Sequence, residues 1–366
     1  MPETDHDVVV IGGGPAGTAA ALTLLKYTDS KVATIESSNY TNPRIGETVS
    51  PSLLPLLEYL GCKNEFLRLK HLPSFSINAA WGTDRLQSRD FLFTAQGNGW
   101  HLDRTCFDQI LAYKTSKHGG SFYENTQFIA QKQLKNGWKI IVKRNGKKIH
   151  LSAKFIIDAS GRNAVFARSL GVKWKIFDSI VGTACYYSRM KKQVQHKMLI
   201  EAAPNGWWYT SPLPKNRQIV VFMTDSDIGN KLNVVRNWQL LLDRTNHVKK
   251  EISGKIIFGP KIFPAYSHLI KKIERKNWLP AGEAASAFDP ISSMGIGYSM
   301  LSGIYAAKSI HESKNIPSSI QNYIKNINRN FEEYLIRLKY YYGNEKRWSN
   351  NTFWRRRQNN TSKLMR

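Results

Sequence analysis

The chain opens on an apolar, β-branched run, Val8-Val9-Val10-Ile11, which breaks into Gly12-Gly13-Gly14-Pro15-Ala16-Gly17 and then an Ala-rich stretch, Thr18 to Leu25. A short continuous apolar run bounded by glycines predicts a strand buried on both faces, and the stretch after it a closely packed helix. Lys31 to Ile35 is a second such strand, ending on Glu36. An apolar periodicity from Leu53 to Leu60, closed by Gly61, predicts a helix, and the alternation from Phe75 to Phe93 around Trp81 predicts sheet. A helix follows to about Lys117, with Asp103 or Thr105 as its N-cap. Gly137 to Lys147 reads as strand and Asn145-Gly146 turn, and Lys154 to Asp158 as a buried strand entering the tight turn Ala159-Ser160-Gly161. Short aromatic-rich strands from Val172 to Phe263 predict a second sheet. A glycine-rich block from Trp278 to Gly297 precedes a helix to about Glu312, and the tail from Pro317 is helical and aromatic, then polar and basic.

Gly12, Gly14 and Gly17 fit G-x-G-x-x-G between a strand and a helix, the setting that gives this pattern its meaning. Gly12 permits the tight turn, Gly14 lets the backbone approach a diphosphate, and Gly17 lets helix and strand pack closely. Free N–H groups at the helix start suit the diphosphate. Glu36, nineteen residues beyond Gly17, is placed to accept from ribose hydroxyls. The motif predicts an adenine dinucleotide and leaves FAD and NAD open. The fold class expected is α/β: a Rossmann-like dinucleotide domain of parallel sheet and helices (1–70, 100–170 and 276–315), interlocked with a mainly antiparallel-sheet substrate domain (71–99 and 171–275). Residues 316–366 form a helical, basic C-terminal segment.

At 366 residues with 42% hydrophobic content, the chain suffices for a substantial core. No apolar run reaches about 18 residues, so no membrane span is expected. The N-terminal Met1-Pro2-Glu3-Thr4-Asp5 has neither a basic nor an apolar leader region, so no signal peptide is expected. Cys62, Cys106 and Cys185 lie far apart, which fits a reducing cytoplasm rather than a disulfide framework or zinc site; the nine histidines show no ligand pairing, so no metal is expected. The net charge of +26 changes the picture more, favouring anionic partners: nucleic acid, anionic lipid or an acidic protein. A solvated lysine-rich surface is the competing reading. Basic residues concentrate at Lys143 to Lys148 and at Arg355-Arg356-Arg357, and no nucleic-acid module is visible.

Three separated blocks together resemble the FAD-dependent monooxygenases of the aromatic-hydroxylase and halogenase superfamily. They are the glycine loop with Glu36, the Asp158-Ala159-Ser160-Gly161 turn, and Gly282-Glu283 through Asp289-Pro290 to Gly295. That family's third block carries Gly-Asp where this chain has Gly282-Glu283, one methylene longer. The resemblance implies FAD, in agreement with the absence of a second G-x-G-x-x-G. Its implied binding set is Gly12, Gly14, Pro15, Ala16, Gly17, Glu36, Arg44, Thr48, Arg104, Asp158, Gly282, Glu283, Gly295 and Ile296. Gly206-Trp207-Trp208-Tyr209-Thr210-Ser211-Pro212 is similar to a halogenase block, but two halogenation residues are missing. Pro73, eight positions before Trp81, stands where a lysine is expected, and Ser292 stands where a glutamate is.

Arg44 to Pro51, Gly206 to Pro214, Phe288 to Gly295 and the tail Lys346-Arg347-Trp348 with Phe353-Trp354-Arg355-Arg356-Arg357 most resemble the flavoprotein maturases that build cysteine tryptophylquinone in amine and amino-acid oxidases. That resemblance implies oxygenation of a tryptophan in an acidic precursor protein, with O2 and an external reductant. Alternatives are a small-molecule aromatic hydroxylase, a tryptophan-halogenase-like enzyme, and a flavin-bearing precursor-binding chaperone. The candidate catalytic set is Glu47, Trp207, Tyr209 and Ser292. Glu47 is a base or orienter, or else caps a backbone amide. Trp207, Trp208 and Tyr209 are candidates to wall an aromatic site, although adjacent tryptophans on a strand point to opposite faces. His101 is expected to be structural.

Overall fold

A computed structural model describes residues 4–91, 97–190, 195–273 and 276–359. Strand Thr4–Ile11 stands at the centre of the first sheet, with Val8 to Ile11 at most 3% exposed. It pairs in parallel with Val32–Ile35 on one side and Lys147–Asp158 on the other, and Ser121–Tyr123 pairs outside Val32–Ile35. Lys147–Asp158 takes partners of both directions within this one sheet. Its first half pairs antiparallel with Gly137–Arg144, and its last three residues pair in parallel with Trp278–Pro280. Asn145 and Gly146 take φ of 49° and 78°, as a two-residue primed hairpin turn requires.

Helix Pro15–Tyr27 joins the first two strands and packs along helix Gly295–Glu312. Small residues permit the approach: a Cβ on Gly303 would stand 2.0 Å from the Ala16 carbonyl oxygen. The expected helix at Leu53 runs Leu53–Tyr59, and that ending at Lys117 runs Arg104–Lys117, capped by Asp103, whose side chain accepts from Thr105 and Cys106 N–H.

The second sheet has the order 256–264, 180–188, 217–225, 206–213, 197–203, 76–80, 87–90, antiparallel except where 197–203 meets 76–80. The expected sheet region reaches Phe93, which lies outside the described residues. Strand Gly206–Leu213 is buried along its whole length. Trp207 and Tyr209 share one face with Ile219, Val221 and Met223, whereas Trp208 packs with Phe222 and Trp238 on the other. Both tryptophans are therefore core residues at 0% exposure.

The C-terminal segment closes over the inner face. Helix Ser319–Gly343 and the short helix Thr352–Asn359 bring Tyr342, Phe353 and Trp354 into the same cluster as Trp207. Three arginines of the basic tail are paired with acids. Arg357 Nη2 donates to Asp225 Oδ1 at 2.7 Å, Arg356 reaches both Asp225 and Asp227, and Arg347 pairs with Glu345 and Asp84. These arginines act as a clamp, and the exposed basic run is instead the Lys143–Lys148 hairpin. No described helix is long and apolar enough to cross a membrane.

Trp354 fills the joint and its Nε1 donates to the Ala203 carbonyl. Trp354→Ala is expected to cost about 3–5 kcal/mol through lost burial and the cavity left, measured by urea denaturation.

Candidate active site

A cleft of roughly 790 Å³ lies where the carboxyl ends of the parallel strands meet the inner face of the second sheet. That is at the upper end of small-molecule sites, about 300–1,000 Å³. Gly12, Gly14, Pro15, Ala16, Glu36 and Arg44 line one end, and Ile45 to Thr48, Arg104 and Ala159 to Asn163 continue the wall. Met198, Tyr209, Met223 and Phe263 form the far side, and Glu283, Phe288, Asp289, Gly295 and Ile296 complete it.

Gly12 has φ +109°, and a Cβ there would lie 2.3 Å from the Ala159 carbonyl oxygen, so the loop can cross this turn only as glycine. Gly14 faces open space; the nearest outside atom to a Cβ is Arg44 Nη1 at 4.0 Å. Helix Pro15–Tyr27 starts at Gly14 and helix Gly295–Glu312 at Met294, neither with a side-chain cap. Two helix starts with uncapped N–H groups therefore meet the cleft, which suits a diphosphate and carbonyl oxygens. Glu36 Oε2 accepts from Gly13 N–H at 2.8 Å, and Oε1 accepts from Ser38 and from Arg44 Nη2.

Arg44 of the loop and Arg104 of the helix share one anchor. Asp108, fully buried, accepts from Arg44 Nη1 at 2.9 Å and from Arg104 Nη2 at 3.0 Å, while Arg104 also donates to the Ile45 carbonyl at 2.7 Å. The Arg104–Asp108 spacing is a helical i,i+4 pair legible in sequence. Its capture of Arg44, 64 residues earlier, is purely tertiary.

Glu47, 3% exposed, accepts from the Tyr186 hydroxyl at 2.6 Å and from Gly46 N–H at 2.9 Å. Burial pushes its pKa above the ordinary value; the Tyr186 hydrogen bond and Arg104 pull the other way. Glu47 thus both caps a backbone amide and presents a protonatable group at the cleft. Thr48 Oγ1 lies 3.0 Å from both His101 Nδ1 and Ser211 Oγ. Burial lowers the His101 pKa to about 3, which keeps the ring neutral.

Several expected site residues do not line the cleft. Asp158 spends its carboxylate on Ser160 N–H, Ser160 Oγ–H and Ala167 N–H, so it builds the turn. Gly17 is a packing position, where a Cβ would stand 1.8 Å from the Gly12 carbonyl oxygen, and Gly282 lies against Ala16. Ser292 Oγ turns back to donate to the Asp289 carbonyl at 2.8 Å. Trp207 Nε1 donates to Tyr342 behind the wall at 3.1 Å. Only Glu47 and Tyr209 of the expected catalytic set face the cleft. Glu283 does line it, with Oε1 accepting from Arg162 Nε at 3.1 Å.

Sequence reading missed Phe263, Met198 and Met223, and it placed Asp289 in the third block without giving it a role. Phe263 lies over Gly182, where a Cβ would be 2.2 Å from the ring. Nothing local marks that pairing, because the two residues sit on different strands. Asp289, 0% exposed, accepts from Tyr342 Oη–H at 2.7 Å and from Ile291 N–H at 2.9 Å. Burial, with Asp178 nearby, pushes its pKa up to about 7.

A family model described as an FAD binding domain matches residues 5–315. The chain belongs to this FAD-binding family. It is a flavoprotein oxidoreductase whose cofactor is FAD. Over 360 residues it is 30% identical to the putative FAD-dependent oxidoreductase LodB of Marinomonas mediterranea, covering 96% of each chain. Among solved structures, the myxobacterial chondrochloren halogenase CndH superposes with TM-score 0.88 at 19% identity, covering 100% of this chain and 88% of that one. The peptidyl tryptophan dihydroxylase QhpG, essential for tryptophylquinone cofactor biogenesis, superposes with TM-score 0.81 at 21% identity, covering 97% and 79%. The open Gly14 position and the two uncapped helix starts fit FAD on their own geometry.

Gly14→Val fills the open position, and the purified variant is expected to keep its circular dichroism while losing flavin absorbance. The neutral form of Asp289 is the one favoured in the folded state, so this group's contribution falls as pH rises from about 4 to about 7. Asp289→Asn is therefore expected to gain in Tm relative to the parent across that interval, with the difference between the two melting curves as the readout.

Proposed function

We propose that this flavoprotein is a monooxygenase that oxygenates a tryptophan side chain of a partner precursor protein during cysteine tryptophylquinone biogenesis in an amino-acid oxidase. The observation that carries this reading is the far wall of the cleft. Met198, Tyr209, Met223 and Phe263 make an apolar and aromatic surface, suited to an aromatic acceptor such as an indole, opposite the residues that fit FAD. The near-full-length similarity to LodB and the fold shared with QhpG support it.

When bound, FAD supplies the redox chemistry with O2, after reduction by an external donor. The chain does the rest. Phe263, flat over Gly182, and Tyr209 offer ring faces to stack an indole, and the two methionines keep water from it. Glu47, held by Tyr186 and Gly46, stands ready to hold or release a proton at the cleft wall. The glycine loop, Glu36, Arg44, Arg104, Glu283 and the Gly295–Ile296 helix start would hold the cofactor. Pro73 sits in strand Leu72–Ser74 and Ser292 turns away, so neither position supports halogenation. The +26 charge suits an acidic precursor, and the three free cysteines suit a cytoplasmic setting.

Co-expression with the precursor of a tryptophylquinone oxidase and mass spectrometry of that precursor test the reading. Oxygen mass on a precursor tryptophan is expected, abolished by Gly14→Val and reduced about 10²-fold or more in rate by Glu47→Gln. A bound but unmodified precursor would establish the chaperone alternative, and turnover of a free phenol or indole with no precursor would establish a small-molecule hydroxylase.

A further inference from the structure

We propose that Tyr209, Trp207, Trp81, Trp354 and Trp348 form a path that carries oxidising equivalents out of the cleft to the surface when O2 is reduced there without an acceptor. The proposal rests on the O2 chemistry of the reading above, not on the identity of its acceptor. Tyr209 lines the cleft, and its ring centroid is 6.1 Å from that of fully buried Trp207. Trp207 lies 6.4 Å from Trp81, Trp81 lies 5.4 Å from Trp354, and Trp354 lies 6.2 Å from Trp348. Trp81 and Trp348 are half-buried at the surface, so the series joins cleft to solvent without a gap.

Indole and phenol rings are the aromatic side chains that give up an electron most readily, which makes composition as telling as spacing. A second aromatic series leaves the cleft at Phe128 and passes through Phe166 to Trp138 and Trp278, but two phenylalanines interrupt it at its mouth. The Tyr209 series has no such interruption.

The hydrogen bonds along the path also differ in kind. Trp81 Nε1 donates to the Tyr341 carbonyl at 2.8 Å and Trp354 Nε1 to the Ala203 carbonyl at 2.9 Å, acceptors that do not take a proton. Trp207 Nε1 donates to the Tyr342 hydroxyl, which donates to Asp289 Oδ2. Superoxide formed in the cleft takes one electron from Trp207 by way of Tyr209 and two protons from solvent, and leaves as hydrogen peroxide. With Asp289 ionised, as it is above about pH 7, the Nε1 proton of Trp207 moves to Tyr342 as the Tyr342 proton moves to the Asp289 carboxylate. An electron from Trp81 then refills Trp207, and both protons return. The vacancy moves on to Trp354 and Trp348, and a one-electron donor in solution, a thiol or ascorbate, fills it at the surface. The basic tail that carries Trp348 and Trp354 thus has a task beyond clamping the sheet.

The test uses the full chain loaded with FAD. It is cycled through reduction and air exposure with catalase present and no precursor, then peptide-mapped by mass spectrometry. Oxidation is expected at Trp81 and Trp348. In Trp207→Phe it should fall several-fold there and move to Tyr209, Met198 and Met223; in Tyr209→Phe the fall at Trp81 and Trp348 should recur. Tyr209→Phe removes a single hydroxyl and keeps the experiment decisive if Trp207→Phe fails to fold. A laser flash on the oxidised flavin, itself a one-electron oxidant, should give a long-lived oxidised-indole absorption that Trp207→Phe abolishes. An unchanged oxidation pattern in both variants, or an unchanged flash signal, overturns the path. Neither readout uses a precursor, so failure of the tryptophan-oxygenation reading and failure of the path are separately visible.

Discussion

Backbone passing against backbone is the constraint on which the rest of this structure depends. The glycine loop crosses the Ala159 turn so closely that Gly12 admits no side chain, and Gly303 brings the Gly295–Glu312 helix against Ala16 with equally little room. Neither contact contributes much energy by itself. Their effect is geometric: they bring two helix starts, far apart in sequence, to one cleft, each with N–H groups that no side chain caps. That placement suits a flavin, because orphan N–H groups at a helix start are ready-made partners for phosphate and carbonyl oxygens.

Around those starts the protein spends its buried charge sparingly and pairs it. Asp108 holds both Arg44 and Arg104, Tyr186 holds Glu47, and Tyr342 holds Asp289. Each carboxylate is thereby fixed in orientation while burial favours its neutral form in Glu47 and Asp289. The two acids stand on loops from opposite ends of the chain, and both face the cleft that FAD and an aromatic acceptor would share. The C-terminal arginines obey the same economy. Arg347, Arg356 and Arg357 neutralise Asp225, Asp227, Glu345 and Asp84, so these basic residues of the tail are a structural brace.

Much of this was legible from the residues alone. The apolar run before Gly12, the Asn145-Gly146 turn and the Asp103 cap each carry a local physical reason, and each forms where expected. The α/β class and a dinucleotide site follow from such local signals in combination, and the resemblance carried by three separated blocks narrows the dinucleotide to FAD. Asp158 and Trp207 lie off the cleft wall for a common cause. A residue type in a familiar motif says what a side chain can do, but not whether its hydrogen-bonding capacity is already spent on a neighbouring turn or on Tyr342.

By itself, then, the sequence determined the dinucleotide loop, the elements around it and the conformationally special glycines, because backbone sterics and hydrophobic period act over a few residues. Only the tertiary structure decided that Phe263 lies over Gly182, that Asp108 joins Arg44 to Arg104, and that a series of four indoles runs from Trp207, beside Tyr209, to Trp348. Those contacts join residues tens to hundreds of positions apart, and no local propensity encodes which distant side chain will fill a given gap. Close packing of two sheets and a C-terminal helix chose the partners.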